Sequence, residues 1–109
     1  MRVQIRDAAT NDMLADAVDG QVQKVEGNWY IVPEAVNAAR LEMTAHKYTC
    51  PYKGTCSYVD AVAANGTRTP RVAWVYEHPM AGWEHIKGRY GFYAGEAAQK
   101  MGKTIVDET

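Results

Sequence analysis

The chain of 109 residues has the length of one ordinary domain, and its 47% hydrophobic and 23% charged residues exclude disorder and a fibrous fold. A formal net charge of -1, with 12 scattered basic residues, lacks the electrostatic footprint that phosphate backbones require and argues against nucleic acid as a partner. No apolar run approaches the ~18 residues of a membrane span, and the apolar stretch at the N-terminus is interrupted by charges, which argues against a membrane partner and a signal peptide.

Arg2-Val3-Gln4-Ile5-Arg6 alternates polar and apolar with period two, the pattern of a half-buried strand, and Asp7 to Asp12 supplies turn chemistry. Met13 to Ala17 and Gln21 to Val25 read as two more short strands, joined by Asp19-Gly20 as a tight hairpin turn. Gly27-Asn28 marks a further turn before Trp29-Tyr30-Ile31-Val32, whose aromatic and β-branched side chains favour a pleated surface. Pro33 stops that strand and suits the first position of a helix. Glu34 complements the helix N-terminus, and the helix formers from Ala35 to Leu41 predict one short helix with Val36 and Ala39 beside its buried stripe.

Thr44 to Thr49 leads into Cys50-Pro51-Tyr52-Lys53-Gly54, a loop punctuated by proline and glycine. Thr55 to Ala63 is predicted as a strand with Tyr58, Asp60 and Val62 on one face and Ser57, Val59 and Ala61 on the other. Asn65-Gly66 is the strongest hairpin turn in the chain, and Arg71 to Glu77 is its returning strand. A single helical turn is predicted over Trp83 to Ile86. Arg89 to Tyr93 is an aromatic strand in which Gly91 marks a bulge or a close backbone approach. A second short helix ends at Gly102, with Glu96 and Lys100 ordered as an i,i+4 pair, and Lys103 to Val106 closes the chain as a strand. With no repeat or linker, residues 1–109 read as a single, mainly β, mostly antiparallel domain with one or two short helices.

Three segments in order carry a resemblance. Cys50-Pro51-Tyr52-Lys53-Gly54, Ala73 to Pro79 and Ile86 to Tyr93 resemble the signatures of the bacterial domain-of-unknown-function 427 family, and the resemblance covers nearly the whole chain. It implies a compact β-tent or roll and a description as nucleotidyltransferase-like without an established reaction. Two-metal phosphoryl transfer needs paired carboxylates and a glycine-rich phosphate loop. Asp16 and Asp19 flank a predicted turn, and Lys53-Gly54 lacks the rest of a P-loop, so these residues do not supply that chemistry.

Cys50 is the first candidate for chemistry, because Lys53 lies three residues on and an ammonium favours a thiolate; the bland alternative is a small buried residue closing the loop. Cys50 and Cys56 are expected to be free thiols, as in a cytoplasmic protein, and the expected location is the cytoplasm. His46, Cys50, Cys56 and His78 are the side chains that could build a zinc site, but their spacing matches no zinc ribbon or finger; no metal and no cofactor is assigned. Trp74 and Tyr76 share one face of their strand, as sheet core or as a stacking platform, and Val75 and Glu77 share the other.

The leading expectation is a small-molecule-binding domain. Its pocket is framed by the Cys50–Gly54 loop and the strand end from Trp74 to Pro79, with Lys53, Tyr58, Trp74, Tyr76 and Arg89 as ligand contacts. The second expectation is an enzyme using the Cys50 thiolate, assisted by Lys53, Glu77 or His78. The third is a non-catalytic interaction module, whose partner is another protein or a second copy of the chain as a homodimer.

Overall fold

Nine strands divide into two antiparallel sheets in the computed structural model, which describes residues 1–109. In chain order they are β1 (Arg2–Asp7), β2 (Met13–Val18), β3 (Val22–Val25), β4 (Asn28–Ile31), β5 (Leu41–Cys50), β6 (Gly54–Val62), β7 (Arg68–Val75), β8 (Tyr90–Tyr93) and β9 (Thr104–Glu108). One helix, α1 (Gly95–Met101), precedes β9. The smaller sheet has the order β2-β1-β9 and the larger one β3-β4-β8-β7-β6-β5. The mainly β, antiparallel class expected from the sequence is the class observed. No helix is long and apolar enough to cross a membrane.

The main core lies between the sheets. Val3 and Ile5 on β1, with Leu14, Ala15 and Ala17 on β2, meet Trp29, Ile31, Val59, Ala61, Ala73, Val75 and Phe92 from the larger sheet. Burying an aliphatic or phenyl side chain of this size contributes about 1.5–3 kcal/mol, so this interface is the principal stabilising contact of the fold. A buried carboxylate reinforces it: Asp7, at the end of β1, accepts hydrogen bonds from the Ala9 N–H (2.9 Å) and the Thr69 hydroxyl (2.9 Å) on β7.

Four sequence expectations change. Asp19-Gly20 does not close a hairpin: β2 pairs with β1 and β3 pairs with β4, so the chain crosses there from one sheet to the other. The turn before β4 is Glu26-Gly27 rather than Gly27-Asn28, with φ of 53° and 79° respectively, the positive pair that a two-residue hairpin turn demands. The helix expected from Pro33 to Leu41 is replaced by two single 3-10 turns, Pro33–Ala35 and Ala38–Arg40. Between them Val36 is extended and bridges Ala15, and the Asn37 N–H donates to the Leu14 carbonyl at 2.8 Å, so pairing with β2 overrides local helix preference. Thr44 to Thr49, to which the sequence assigns no element, lies inside β5.

Other local readings hold. Asn65-Gly66 turns the chain between β6 and β7, Glu84–Ile86 is a single 3-10 turn, and Gly102 ends α1 at φ 68°. The β6–β7 ladder is irregular at one point: Val59 pairs with Ala73 and Ala61 with Thr69, so Pro70, Arg71 and Val72 together face Asp60. Asp60 is buried and organises this bulge. It accepts from the Arg71 N–H at 2.9 Å and from Arg68 Nη1 at 2.9 Å, and it holds Arg71 in the left-handed region at φ 52°.

Candidate functional site

Period-two alternation gives the larger sheet a second face. On β4, Trp29 and Ile31 point into the core and Tyr30 points away; on β6, Val59 and Ala61 point in and Cys56 and Tyr58 away. Past β7 the same alternation separates Ala73 and Val75 from Trp74 and Tyr76, and on β8 it separates Phe92 from Tyr93. An antiparallel sheet covered on one face normally offers polar residues to water on the other. Here the second face carries aromatic side chains around a cavity of about 320 Å³.

Five elements and one hairpin line this cavity. β4 supplies Asn28 and Tyr30, β5 Tyr48, the β5–β6 hairpin Lys53, β6 Cys56 and Tyr58, β7 and its extension Trp74 and Tyr76, and β8 Tyr93. Trp74 is the centre of the wall. Its indole Nε1 donates to the Tyr30 hydroxyl at 3.0 Å, and its ring meets Tyr30 and Tyr93 edge to face, at centroid separations of 6.3 Å and 4.9 Å. Gly91 makes this arrangement possible. It pairs with Trp74 on one side and Tyr30 on the other, and a Cβ there would lie 2.3 Å from the indole nitrogen. The close backbone approach read at Gly91 from sequence is therefore the indole of Trp74 lying across a strand that has no side chain in its way.

Lys53 forms one corner. Its hairpin is fixed by the Met80 N–H, which donates to the Lys53 carbonyl at 2.8 Å, and by Gly54, whose φ of 107° suits a residue without a side chain. The ammonium forms an ion pair with Glu26 from the β3–β4 turn and lies 5.1 Å from the centre of the Trp83 ring. Burial alone would lower the Lys53 pKa, but Glu26 outweighs it and the net shift is upward, so the ammonium stays charged. The side chain of Lys53 is 16% exposed and that of Glu26 54%, which puts the cation in the wall and the carboxylate at its outer edge.

Two thiols flank the cavity. Burial pushes the Cys56 thiol up, with an opposing hydrogen bond from Tyr76, and burial pushes the Tyr76 and Tyr30 phenols up as well, so these three groups stay protonated at neutral pH. Cys50 behaves differently: the backbone N–H groups of Lys53 and then Tyr52 hold its thiol below the usual range. Both cysteines are free, and Cys50 packs against the aromatic cluster without lining the cavity. Arg71, displaced by the Asp60 bulge, places its guanidinium 5.9 Å from the Tyr58 ring centre.

Of the side chains singled out from sequence, the structure brings Lys53, Tyr58, Trp74 and Tyr76 to one cavity and sets Cys50 beside it. Glu77 is exposed and Arg89 is half-buried, and neither lines it. His46, Cys50, Cys56 and His78 do not gather as a group able to hold a metal ion. Sequence reasoning missed Asn28, Tyr30, Tyr48, Tyr93 and the Glu26 partner of Lys53. The signal available for Tyr30 was its alternation with Trp29 and Ile31, which puts it on the face opposite theirs.

These features define a small antiparallel β domain that keeps its core between two sheets and carries an aromatic-walled cavity on the outer face of the larger one. The chain belongs to the family described as domain of unknown function DUF427, whose model it matches over residues 4–107. No curated protein is significantly similar to it.

Proposed function

We propose that this protein binds a small planar molecule in the cavity between the Cys50–Gly54 hairpin and the extension of β7. The observation that carries this reading is the composition of the outer face: five tyrosines and Trp74 surround a hollow where a solvated sheet face would be polar. A volume of about 320 Å³ suits one or two fused rings, and a lining rich in aromatic side chains favours a flat ligand. Lys53 provides a polar contact. The modest net charge supports a small molecule rather than nucleic acid as the partner.

The test is a titration of the full chain with a set of planar heterocycles, followed by the NMR signals of the tryptophan indoles and tyrosine rings. Binders should move Trp74 and Tyr93 first. Lys53→Ala should weaken binding while changing stability by less than about 1 kcal/mol, because its ion pair is partly open to water. A variant that loses stability but keeps its affinity would show Lys53 to be a structural residue, and a set of heterocycles that leaves every aromatic signal unmoved would defeat the reading.

One observation favours a second reading, in which Cys50 acts as a nucleophile on a ligand held nearby. Its thiolate is favoured by two backbone N–H groups, and it borders the same aromatic cluster. Lys53 is then its assisting cation, and Glu77, exposed away from the cavity, takes no part.

A further inference from the structure

We infer that the cavity selects an uncharged planar ligand bearing a ring carbonyl, a cyclic amide or urea, in preference to an anion. This rests on the ligand-binding reading above and specifies its ligand. The Tyr30 hydroxyl accepts a hydrogen bond from Trp74 Nε1 and gives its own proton to no other side chain, which leaves that proton available to an acceptor in the cavity that it lines. Lys53 adds a second donor. Its ammonium carries three protons, and the ion pair with Glu26 and the contact with the Trp83 ring leave donor capacity for the cavity that it lines. Two convergent donors call for an acceptor on the ligand.

The charge balance decides which acceptor. Glu26 already neutralises Lys53, so the corner holds a dipole rather than a free positive charge. An anionic ligand would meet a cation whose charge is already balanced and would feel the Glu26 carboxylate behind it, whereas a carbonyl oxygen accepts from both donors without that repulsion. Asn28, on the same wall, offers an amide oxygen that can accept the ring N–H of a lactam. Donors and acceptor lining one cavity are the chemical complement of a cyclic amide's carbonyl and N–H, and an aromatic lining suits its flat ring.

Three probes built on one fused-ring skeleton separate the terms: oxindole, a fused-ring lactam; indole, which keeps the N–H and lacks the carbonyl; and indole-2-carboxylate, the anion. Each is titrated into the full chain and followed by the Trp74 and Tyr93 signals. Oxindole should bind about tenfold more tightly than indole, the effect of one well-placed hydrogen bond, and the carboxylate should bind no better than indole. Tyr30→Phe, checked for folding by near-ultraviolet circular dichroism, should reduce the advantage of oxindole to what the Lys53 donor alone provides, while indole binds as before. Glu26→Gln, at an exposed turn, should shift the preference between carboxylate and oxindole about tenfold toward the carboxylate. Equal binding of oxindole and indole, or tightest binding of the carboxylate to the unmodified chain, overturns the inference while leaving the pocket reading intact. Failure of all three to move the aromatic signals overturns both.

Discussion

Replacing Gly91 by alanine tests whether the cavity wall depends on the missing side chain. The new Cβ would lie 2.3 Å from Trp74 Nε1, 2.5 Å from Cε2 and 2.9 Å from Cδ1, closer than such atoms can approach, so the indole must move. Trp74 is 8% exposed, and moving it outward breaks its hydrogen bond to Tyr30 and its edge-to-face contacts with Tyr30 and Tyr93. The hydrogen bond contributes about 1 kcal/mol net, and each aromatic contact about 0.5–1.5 kcal/mol. Gly91 does not adopt a positive φ, so no backbone strain is added. The expected loss is about 2–4 kcal/mol. At roughly 4 °C per kcal/mol for a chain of this size, Tm should fall by about 8–16 °C. Thermal and urea unfolding followed by circular dichroism measure the loss, and the Trp74 indole signal reports the displacement. In a Trp74→Leu background the same substitution should cost under about 1 kcal/mol, as coupling between touching residues requires. A Tm within ~3 °C of the parent with the Trp74 signal unmoved would refute the reasoning.

Two further predictions follow from the hairpin and the bulge. Iodoacetamide should label Cys50 with a midpoint below the free-thiol value of about 8.5, because a thiol whose pKa is lowered is more fully ionised at any pH beneath that value. Cys56, buried and with its thiol held up by that burial, should react more slowly than Cys50, and a Cys50 midpoint at or above the free-thiol value would remove the case for a stabilised thiolate. Asp60→Ala should cost about 2 kcal/mol, the scale of hydrogen bonds to a charged group, since it frees both Arg68 and the Arg71 N–H. Urea unfolding with an unchanged m value is the measurement, and a loss under about 0.5 kcal/mol would show that the bulge forms without it.

The parts of the fold legible in sequence are those fixed by a few neighbouring residues. Asn65-Gly66 and Gly102 were readable because each requires a particular backbone conformation at one position. Asp19-Gly20 misled because turn chemistry reports a change of direction and not which strand is met next. The stretch from Pro33 to Leu41 has helical composition, but Val36 finds a partner in Ala15, twenty-one residues earlier in the chain, which no local pattern reveals. β5 was missed because it is an edge strand: its side chains are mostly polar, Met43 and Tyr48 stay exposed, and its period-two signal is lost. The cavity was half legible for a related reason. Trp74 and Tyr76 share a face by strand alternation alone, whereas Tyr30 and Glu26 join them only through the order β4-β8-β7-β6, a property of the sheet and not of any segment.

The two faces of the larger sheet share one set of strands, and this ties folding and ligand contact to the same count of residues. Inserting or deleting a single residue within β4, β7 or β8 would exchange the faces beyond that point, sending Trp74 toward the core and Val75 toward the cavity. Both interiors would be spoiled at once. Length variation in this architecture is thereby confined to the connections between strands, among them the three turns Glu26-Gly27, Pro51 to Lys53 and Asn65-Gly66. Two of these three turns also carry the ion pair at the cavity corner. The loops free to change in length are therefore those able to retune what enters, while the strands between them must keep their spacing.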